Sequence, residues 1–354
     1  MRGETCPGNA KQGWQVEKND LETGAERTGL IVQRLLSDVL RHAHIFSTES
    51  ITIASSVIDD HRTSRQVPQP RSNSIMSKSE SLILLRQSSK SRTQPLVLCV
   101  PGAGASVTAM IDLVDALPAS WDAYGLQPLG LISGETPHTS VEAAAKHHLD
   151  ALLPLLKRST ESRTIHLIGH SFGGWIAHEI ACCLYEQGIA IESLILIDSE
   201  PPTGSDTAAA DTALIRKEFV MGMCRSLNIN VQVNHAKIES DMCHLFLEDL
   251  HSHLVKAQYF SSNFNLNELQ KIFETFDKAR RTPYRPRIVY PGSVKLVQVS
   301  DTELPTEDDL LQRAHYFNKW TQLIPELQSW QGPGDHYSTL QTPLVRQFIE
   351  WAFP

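Results

Sequence analysis

The feature that most constrains this chain is the pentapeptide Gly169-His170-Ser171-Phe172-Gly173, set between a strand-like run and a helix-like one. Thr164-Ile165-His166-Leu167-Ile168 precedes it and is short and apolar. Gly174-Trp175-Ile176-Ala177-His178-Glu179-Ile180-Ala181 follows it with the apolar spacing of a buried helix. Where a strand turns sharply into a helix at G-x-S-x-G, the serine is held in a strained backbone conformation with its hydroxyl exposed above the sheet. Small residues two positions either side are needed because the strand and helix backbones pass close together there. The competing reading is a glycine-bounded turn with an incidental serine, and the surrounding pattern has to decide between them.

That pattern is an alternation. Residues 95–100, 121–129, 164–168 and 191–197 read as strands, with Tyr124-Gly125-Leu126 at the centre of the second. Helical spacing fills the gaps: residues 108–117, a helix to about Arg158 with Thr139 and Glu142 as its capping box, and the helix after Ser171, which Gly188 ends. Leu82-Ile83-Leu84-Leu85 adds a strand before a polar turn at 88–93. The alternation implies a mostly parallel sheet covered on both faces. From about 205 to 280 only helical patterns occur (211–227, 240–260 and 265–280), before a strand returns at 294–299 and a helix at 342–351 closes the chain. A helical block inserted late into such a sheet reads as a lid over the strand ends. Residues 1–80 differ, being rich in Ser, Thr, Arg and Gln, with one amphipathic stretch at 29–40 and a polar linker-like segment at 59–78. They are expected to form a poorly ordered or loosely attached extension to a domain covering 81–354.

Composition narrows the function. A net charge of -8 over 354 residues, without a sustained Lys/Arg run, argues against a nucleic-acid partner. No apolar run is long enough for a bilayer, and the first eight residues have no apolar core of the kind a secretory signal needs. The six cysteines show neither metal spacing nor a dense framework, so reduced thiols in a cytoplasmic protein are expected. Among fifteen histidines, His244, His251 and His253 share one predicted helix and His147-His148 another. With no H-E-x-x-H and no carboxylate to complete a site, they read as solvated helix histidines, and no metal and no cofactor is expected.

A serine hydroxyl near neutral pH needs a base to take its proton, and the base needs an acid to hold its tautomer. The base candidate is His336, in the loop Gly332-Pro333-Gly334-Asp335-His336-Tyr337. Asp198 and Asp301 each follow a strand and each lie between serine and histidine, so spacing leaves the acid open. Two backbone N–H groups must face the developing oxyanion: one from Phe172, the other from Gly102 or Ala103 in Pro101-Gly102-Ala103-Gly104-Ala105-Ser106. That loop lacks both G-x-x-x-x-G-K and G-x-G-x-x-G, which counts against a phosphate cradle. Serine, acid, histidine is the chain order of an α/β-hydrolase.

Taken in order, Leu84-Leu85-Arg86, Pro101-Gly102-Ala103-Gly104, Tyr124-Gly125-Leu126-Gln127-Pro128-Leu129-Gly130-Leu131, Gly169 to Gly174, Leu194-Ile195-Leu196-Ile197-Asp198-Ser199 and Gly334-Asp335-His336 resemble the thioesterase domains that terminate non-ribosomal peptide synthetases and polyketide synthases. The resemblance covers residues from about 82 to 354. It implies an α/β-hydrolase fold, a mostly parallel sheet flanked by helices, with an all-helical lid at about 205–280. It places the acid after the strand that follows the serine, favouring Asp198 over Asp301. Val100-Pro101 stands where that family often has His-Pro or Phe-Pro, and Ala103 is the preferred second oxyanion donor.

The implied function is release of acyl, polyketide or peptidyl chains from pantetheine thioesters, through an acyl-Ser171 intermediate, in secondary-metabolite biosynthesis. The implied partner is an acyl or peptidyl carrier protein or a synthase module, which presents the substrate on phosphopantetheine. The rival readings are a free-standing editing thioesterase, a general carboxylester hydrolase and a carrier-binding pseudo-hydrolase without turnover.

Overall fold

The computed structural model describes residues 81–88, 94–131, 135–157, 163–202, 211–231, 233–240, 242–261, 263–300 and 306–354. The expectations for residues 1–80, for most of the turn at 88–93 and for Asp301 lie outside them.

Strands β1 (Leu82–Arg86), β2 (Leu96–Val100) and β3 (Asp122–Leu126) come first, with a 3-10 turn (Val107–Met110) and helix α1 (Ile111–Ala116) between the last two. Helix α2 (Val141–Lys157), β4 (Ile165–His170), α3 (Phe172–Glu186) and β5 (Ser193–Ile197) continue the alternation. A helical block follows: α4 (Thr212–Ser226), α5 (His235–Ile238), α6 (Cys243–Lys256) and α7 (Leu266–Arg281). The chain then returns through β6 (Val294–Gln298), α8 (Glu307–Thr321), β7 (Leu327–Gln331) and α9 (Leu344–Ala352).

The seven strands form one sheet in the order β1-β3-β2-β4-β5-β6-β7. Only β1 runs antiparallel to its neighbour; every other pairing is parallel. The central strands β2, β4 and β5 are buried at every position and mostly apolar because both faces are covered. Leu96, Leu98 and Val100 of β2 join the core under α2 and α3, while Val97 and Cys99 join the opposite core with α1 and α9. Leu194 and Leu196 against Ile195 and Ile197 repeat that split in β5, as a period of two requires. The resulting seven-stranded, mostly parallel sheet flanked by helices is an α/β-hydrolase architecture.

The helical block inserted between β5 and β6 carries a core of its own, in which Phe219 and Phe246 both pack edge-on against Phe273 at 5.1 and 5.0 Å between ring centroids. It meets the strand-end loops at two glycines. Gly104 packs against Phe276 of α7, and Gly222 of α4 against the Tyr337 hydroxyl.

Three details differ from the sequence reading. Ser140, not Thr139, caps α2, its hydroxyl accepting from Ala143 N at 3.0 Å; the hydroxyl three residues ahead of an unbonded first-turn N–H is the one that reaches it. The segment read as one helix at 108–117 is a 3-10 turn leading into a short α-helix. Helix α8 and strand β7 had no counterpart in the sequence reading.

Candidate active site

Ser171 sits at the junction of β4 and α3 with φ 53° and ψ -126°, a region that costs a non-glycine residue of order 1–3 kcal/mol. The surroundings hold it there. Its N–H donates to Ile197 O at 2.8 Å, and the Ser199 hydroxyl donates to its carbonyl at 2.8 Å, so the end of β5 clamps both sides of the peptide. Ser199 is fixed in turn by Trp320 of α8, whose indole N–H donates to Ser199 O at 2.9 Å. The flanking glycines are required by contact: a Cβ on Gly169 would stand 2.5 Å from Gly173 O, and one on Gly173 would collide with Pro101 O.

Asp198 follows β5 and also has a positive φ, 45°. Its N–H donates to Val297 O at 2.7 Å, and its Oδ1 accepts from Val299 N at 3.3 Å, so β6 aims the carboxylate. The other oxygen, Oδ2, lies 2.6 Å from His336 Nδ1. With the Nδ1 proton donated to that carboxylate, Nε2 of His336 is left as the basic nitrogen. The two side chains are 28% and 26% exposed, accessible yet partly shielded from water. Asp301, the other candidate acid, lies outside the described residues.

The loop that carries His336 is organised by its neighbour. Asp335 Oδ1 accepts from Tyr337 N at 2.9 Å and from Ser338 N and Oγ at 2.8 Å. Burial pushes the Asp335 carboxyl up, but these hydrogen bonds outweigh it and leave its pKa below the usual carboxylate value. Asp335 is therefore a loop brace. A second tie comes from His170, beside the serine, whose Nε2 lies 2.8 Å from the carbonyl of His336. Burial, with the His336 charge second, pushes His170 down to about 3, so the ring is neutral and its Nε2–H donates to that carbonyl. The sequence reading assigned His170 no role, and its contact spans 166 residues.

The glycine-rich loop lies against the serine: the Cβ position of Gly102 is 3.3 Å from Ser171 Cβ. Ala105 N donates to Gly102 O at 3.2 Å, closing a turn whose central residues, Ala103 and Gly104, keep their amides out of that bond. Gln127, buried behind the loop, accepts from Val107 N at 3.0 Å and Ser106 Oγ at 3.3 Å, which gives the Tyr124-to-Leu131 segment a structural purpose. Phe172 opens α3, so its N–H has no helical carbonyl to meet. Ala103 and Phe172 both line one cleft of about 430 Å³, open solvent included, roofed by Thr275 and Ala279 of the helical block. A strained serine, a carboxylate-held imidazole, a loop amide at Ala103 and a helix-start amide at Phe172 are the groups that acyl transfer needs, and the two amides belong to residues lining one cleft.

The histidines did not all behave as the sequence suggested. His244, His251 and His253 do share α6, where His251 Nε2 meets Phe264 O and His253 Nδ1 meets Asp249 O. His148, however, is 1% exposed rather than solvated, because it lies on the same face of α2 as Ala144 and Leu152. Among the described residues no group of three or more His, Cys, Asp or Glu side chains is placed to hold a metal ion. Cys99, Cys182, Cys183 and Cys224 are free thiols, and no described helix is long and apolar enough to cross a membrane.

Comparison with known proteins adds to this geometry. The family described as "Thioesterase domain" matches residues 95–286, just over half of the chain. Vanchrobactin synthetase VabF of Vibrio anguillarum is 33% identical over 115 residues, 32% of this chain and 4% of that protein. A four-domain non-ribosomal peptide synthetase, holo-AB3403 bound to AMP and glycine, superposes with a TM-score of 0.63 at 19% identity, over 77% of this chain and 20% of that one. The Vlm2 thioesterase domain superposes with a TM-score of 0.53 at 19% identity, over 76% of this chain and 95% of that one. At such identities the superpositions speak to the fold. The chain spans only a small part of the synthetases it matches.

Proposed function

Since the chain belongs to the thioesterase domain family, we propose that residues 81–354 form a serine thioesterase that releases acyl, polyketide or peptidyl chains from the pantetheine of a carrier protein or synthase module. The observation that carries this reading is the 2.6 Å pairing of His336 Nδ1 with Asp198 Oδ2, next to a serine held at positive φ.

Ser171 Oγ attacks the thioester carbonyl as His336 Nε2 takes its proton. Asp198 keeps the imidazole in the working tautomer and stabilises the imidazolium. The carbonyl oxygen becomes an oxyanion, held by the N–H groups of Phe172 and Ala103. The intermediate collapses with cleavage of the C–S bond, His336 gives the proton to the leaving thiolate, and acyl-Ser171 remains. Water, or a hydroxyl or amine of the chain itself, then loses a proton to His336 and attacks the ester; His336 returns that proton to Ser171 Oγ as the product leaves. The helical block, residues 211–281, acts as a lid that shapes the cleft and limits water. No cofactor takes part; the pantetheine arrives with the substrate.

The test is intact-protein mass after incubation with a panel of acyl-pantetheine thioesters. An acyl adduct on Ser171, with release of free thiol, is expected, and Ser171→Ala loses both. Turnover retained by Ser171→Ala sinks the mechanism. Hydrolysis of simple oxygen esters without any thiol release points instead to a carboxylester hydrolase.

A further inference from the structure

Three imidazoles beside the cleft have no part in the chemistry above. His138 and His148 line it, on the same wall as Leu129, Ala144 and Ile176. His147 packs against both, with ring centroids 5.1 Å from His138 and 5.6 Å from His148. His138 Nε2, His147 Nε2 and His148 Nδ1 are buried and have no hydrogen-bond partner among the described residues. Buried polar atoms are ordinarily paired, so two orphans on the cleft wall, with a third on His147 packed against them, mark a place where something polar belongs. They are not placed to hold a metal ion together.

The charge state says what kind of group fits. Burial first, and then the neighbouring imidazoles, pushes His148 down to about 3. Burial lowers His138 too, with His147 second, and it lowers His147 against the opposing pull of Glu135 and Asp150. All three rings are therefore neutral near pH 7. A neutral imidazole offers one N–H donor and one lone-pair acceptor. The matching group is neutral and able to donate and accept at once. A hydroxyl does both through one atom, and a secondary amide donates through its N–H and accepts through its carbonyl oxygen. An ammonium only donates, and an apolar-walled cleft penalises its charge.

Resting on the thioesterase reading, we propose that His138 and His148 form a polar subsite in the acyl cleft that selects chains carrying a hydroxyl or amide group over plain alkyl chains. The same cleft is lined by Ala103 and Phe172, the proposed oxyanion donors, so a chain whose carbonyl lies at those amides extends along the cleft to the histidines. His147 positions the pair through its contacts with both rings.

The test reads binding, so that it does not depend on turnover. Ser171→Ala protein is titrated calorimetrically with non-hydrolysable amide analogues of acyl-pantetheine, matched in length and carrying a 3-hydroxyacyl, an N-acetylaminoacyl or a plain alkanoyl chain. A polar chain is expected to bind on the order of tenfold tighter than the alkanoyl chain. Adding His148→Leu brings that ratio to about one, whereas His148→Gln, which keeps a donor and an acceptor, retains part of it. The hydroxyacyl and aminoacyl arms separate the two sources of the polar group. Equal binding of all three chains, binding of none, or an unchanged ratio in His148→Leu overturns the subsite. If His148→Leu fails to fold, His148→Gln and His138→Phe carry the same comparison. Wild-type thiol release is scored separately, so a protein that binds selectively without turnover refutes the enzymatic reading and leaves the subsite standing.

Discussion

Two of the four non-glycine residues with positive φ among the described residues are Ser171 and Asp198. Backbone strain thus coincides with two of the three residues proposed for the triad, the nucleophile and the acid that orients His336. This has a practical consequence for Asp198. A substitution to Ala removes the charge but also places a residue that dislikes the left-handed region at φ 45°, whereas Asn tolerates that region nearly as well as Asp. Asp198→Asn is therefore the clean probe of the carboxylate. It is expected to keep the wild-type melting temperature within a few degrees and to lower kcat by about 10³- to 10⁴-fold through loss of the working His336 tautomer. Steady-state thiol release and a thermal melt check both, and a loss under tenfold removes Asp198 from the triad. At this scale the sequence singled out Ser171 and His336, because each sits in a glycine-framed motif. It left Asp198 and Asp301 level, because both follow a strand and only family resemblance separates them. It hid His170 and Ser199 altogether, since their contacts join positions 166 and 28 residues apart. His148 was readable and was misread: its i, i+4 spacing with Ala144 and Leu152 puts it on the buried face of its helix.

The elements owe their arrangement to one close approach, where the start of α3 passes the end of β2. The carbonyls of Val100 and Pro101 both occupy the space that a side chain at Gly173 would need. Backbone cannot yield there as a flexible side chain could. Gly173→Ala is expected to cost about 1–3 kcal/mol of stability and to move Ser171 away from the loop amides. Urea denaturation should show the lower midpoint, and thiol release should fall by more than the folded fraction explains. An unchanged midpoint means that the elbow has slack that the geometry does not suggest. The elements were unequally readable from sequence. The central strands are legible because burial on both faces makes them mostly apolar runs. Strand β7, Leu327–Gln331, lies at the sheet edge with mostly exposed or half-buried residues, so no apolar run announces it. Helix α8 opens on three acidic residues and carries a reciprocal cap between Thr306 and Asp309. That Thr-x-x-Asp signature, followed by helical spacing, is the signal that finds it. Helix α8 delivers Trp320 to Ser199 and so steadies the Ser171 backbone from outside the sheet.

For the whole molecule, the buried imidazoles set the response to acid. Burial is the leading cause that holds His148 and His170 at about 3 and His166 and His178 at about 4. Lys295 adds to the shift at His166, while Asp198 and the His336 carbonyl oppose it at His170. In the unfolded chain each returns to roughly 6.5. A folded-state pKa below the unfolded one means that the stability it brings is fully present above about 6.5 and is lost as pH falls towards the folded value. The unfolded state takes up protons that the folded state refuses, so each such histidine removes up to about 1.4 kcal/mol per pH unit within its window. Asp249 and Asp335 are held below the usual carboxylate value by hydrogen bonds that outweigh their burial, and so act only at lower pH. Urea midpoints measured at pH 7.0, 6.5, 6.0, 5.5 and 5.0 should therefore be level at first and then fall with increasing steepness. His148→Gln, which removes one titrating group, should make the fall shallower by about one proton's worth of slope. Level midpoints down to pH 5 mean that the folded protein accepts these protons, which requires water to reach His148 and its neighbours. The cleft wall that the proposed substrate selectivity depends on is then wet, and a hydroxyl on the acyl chain gains little by meeting it.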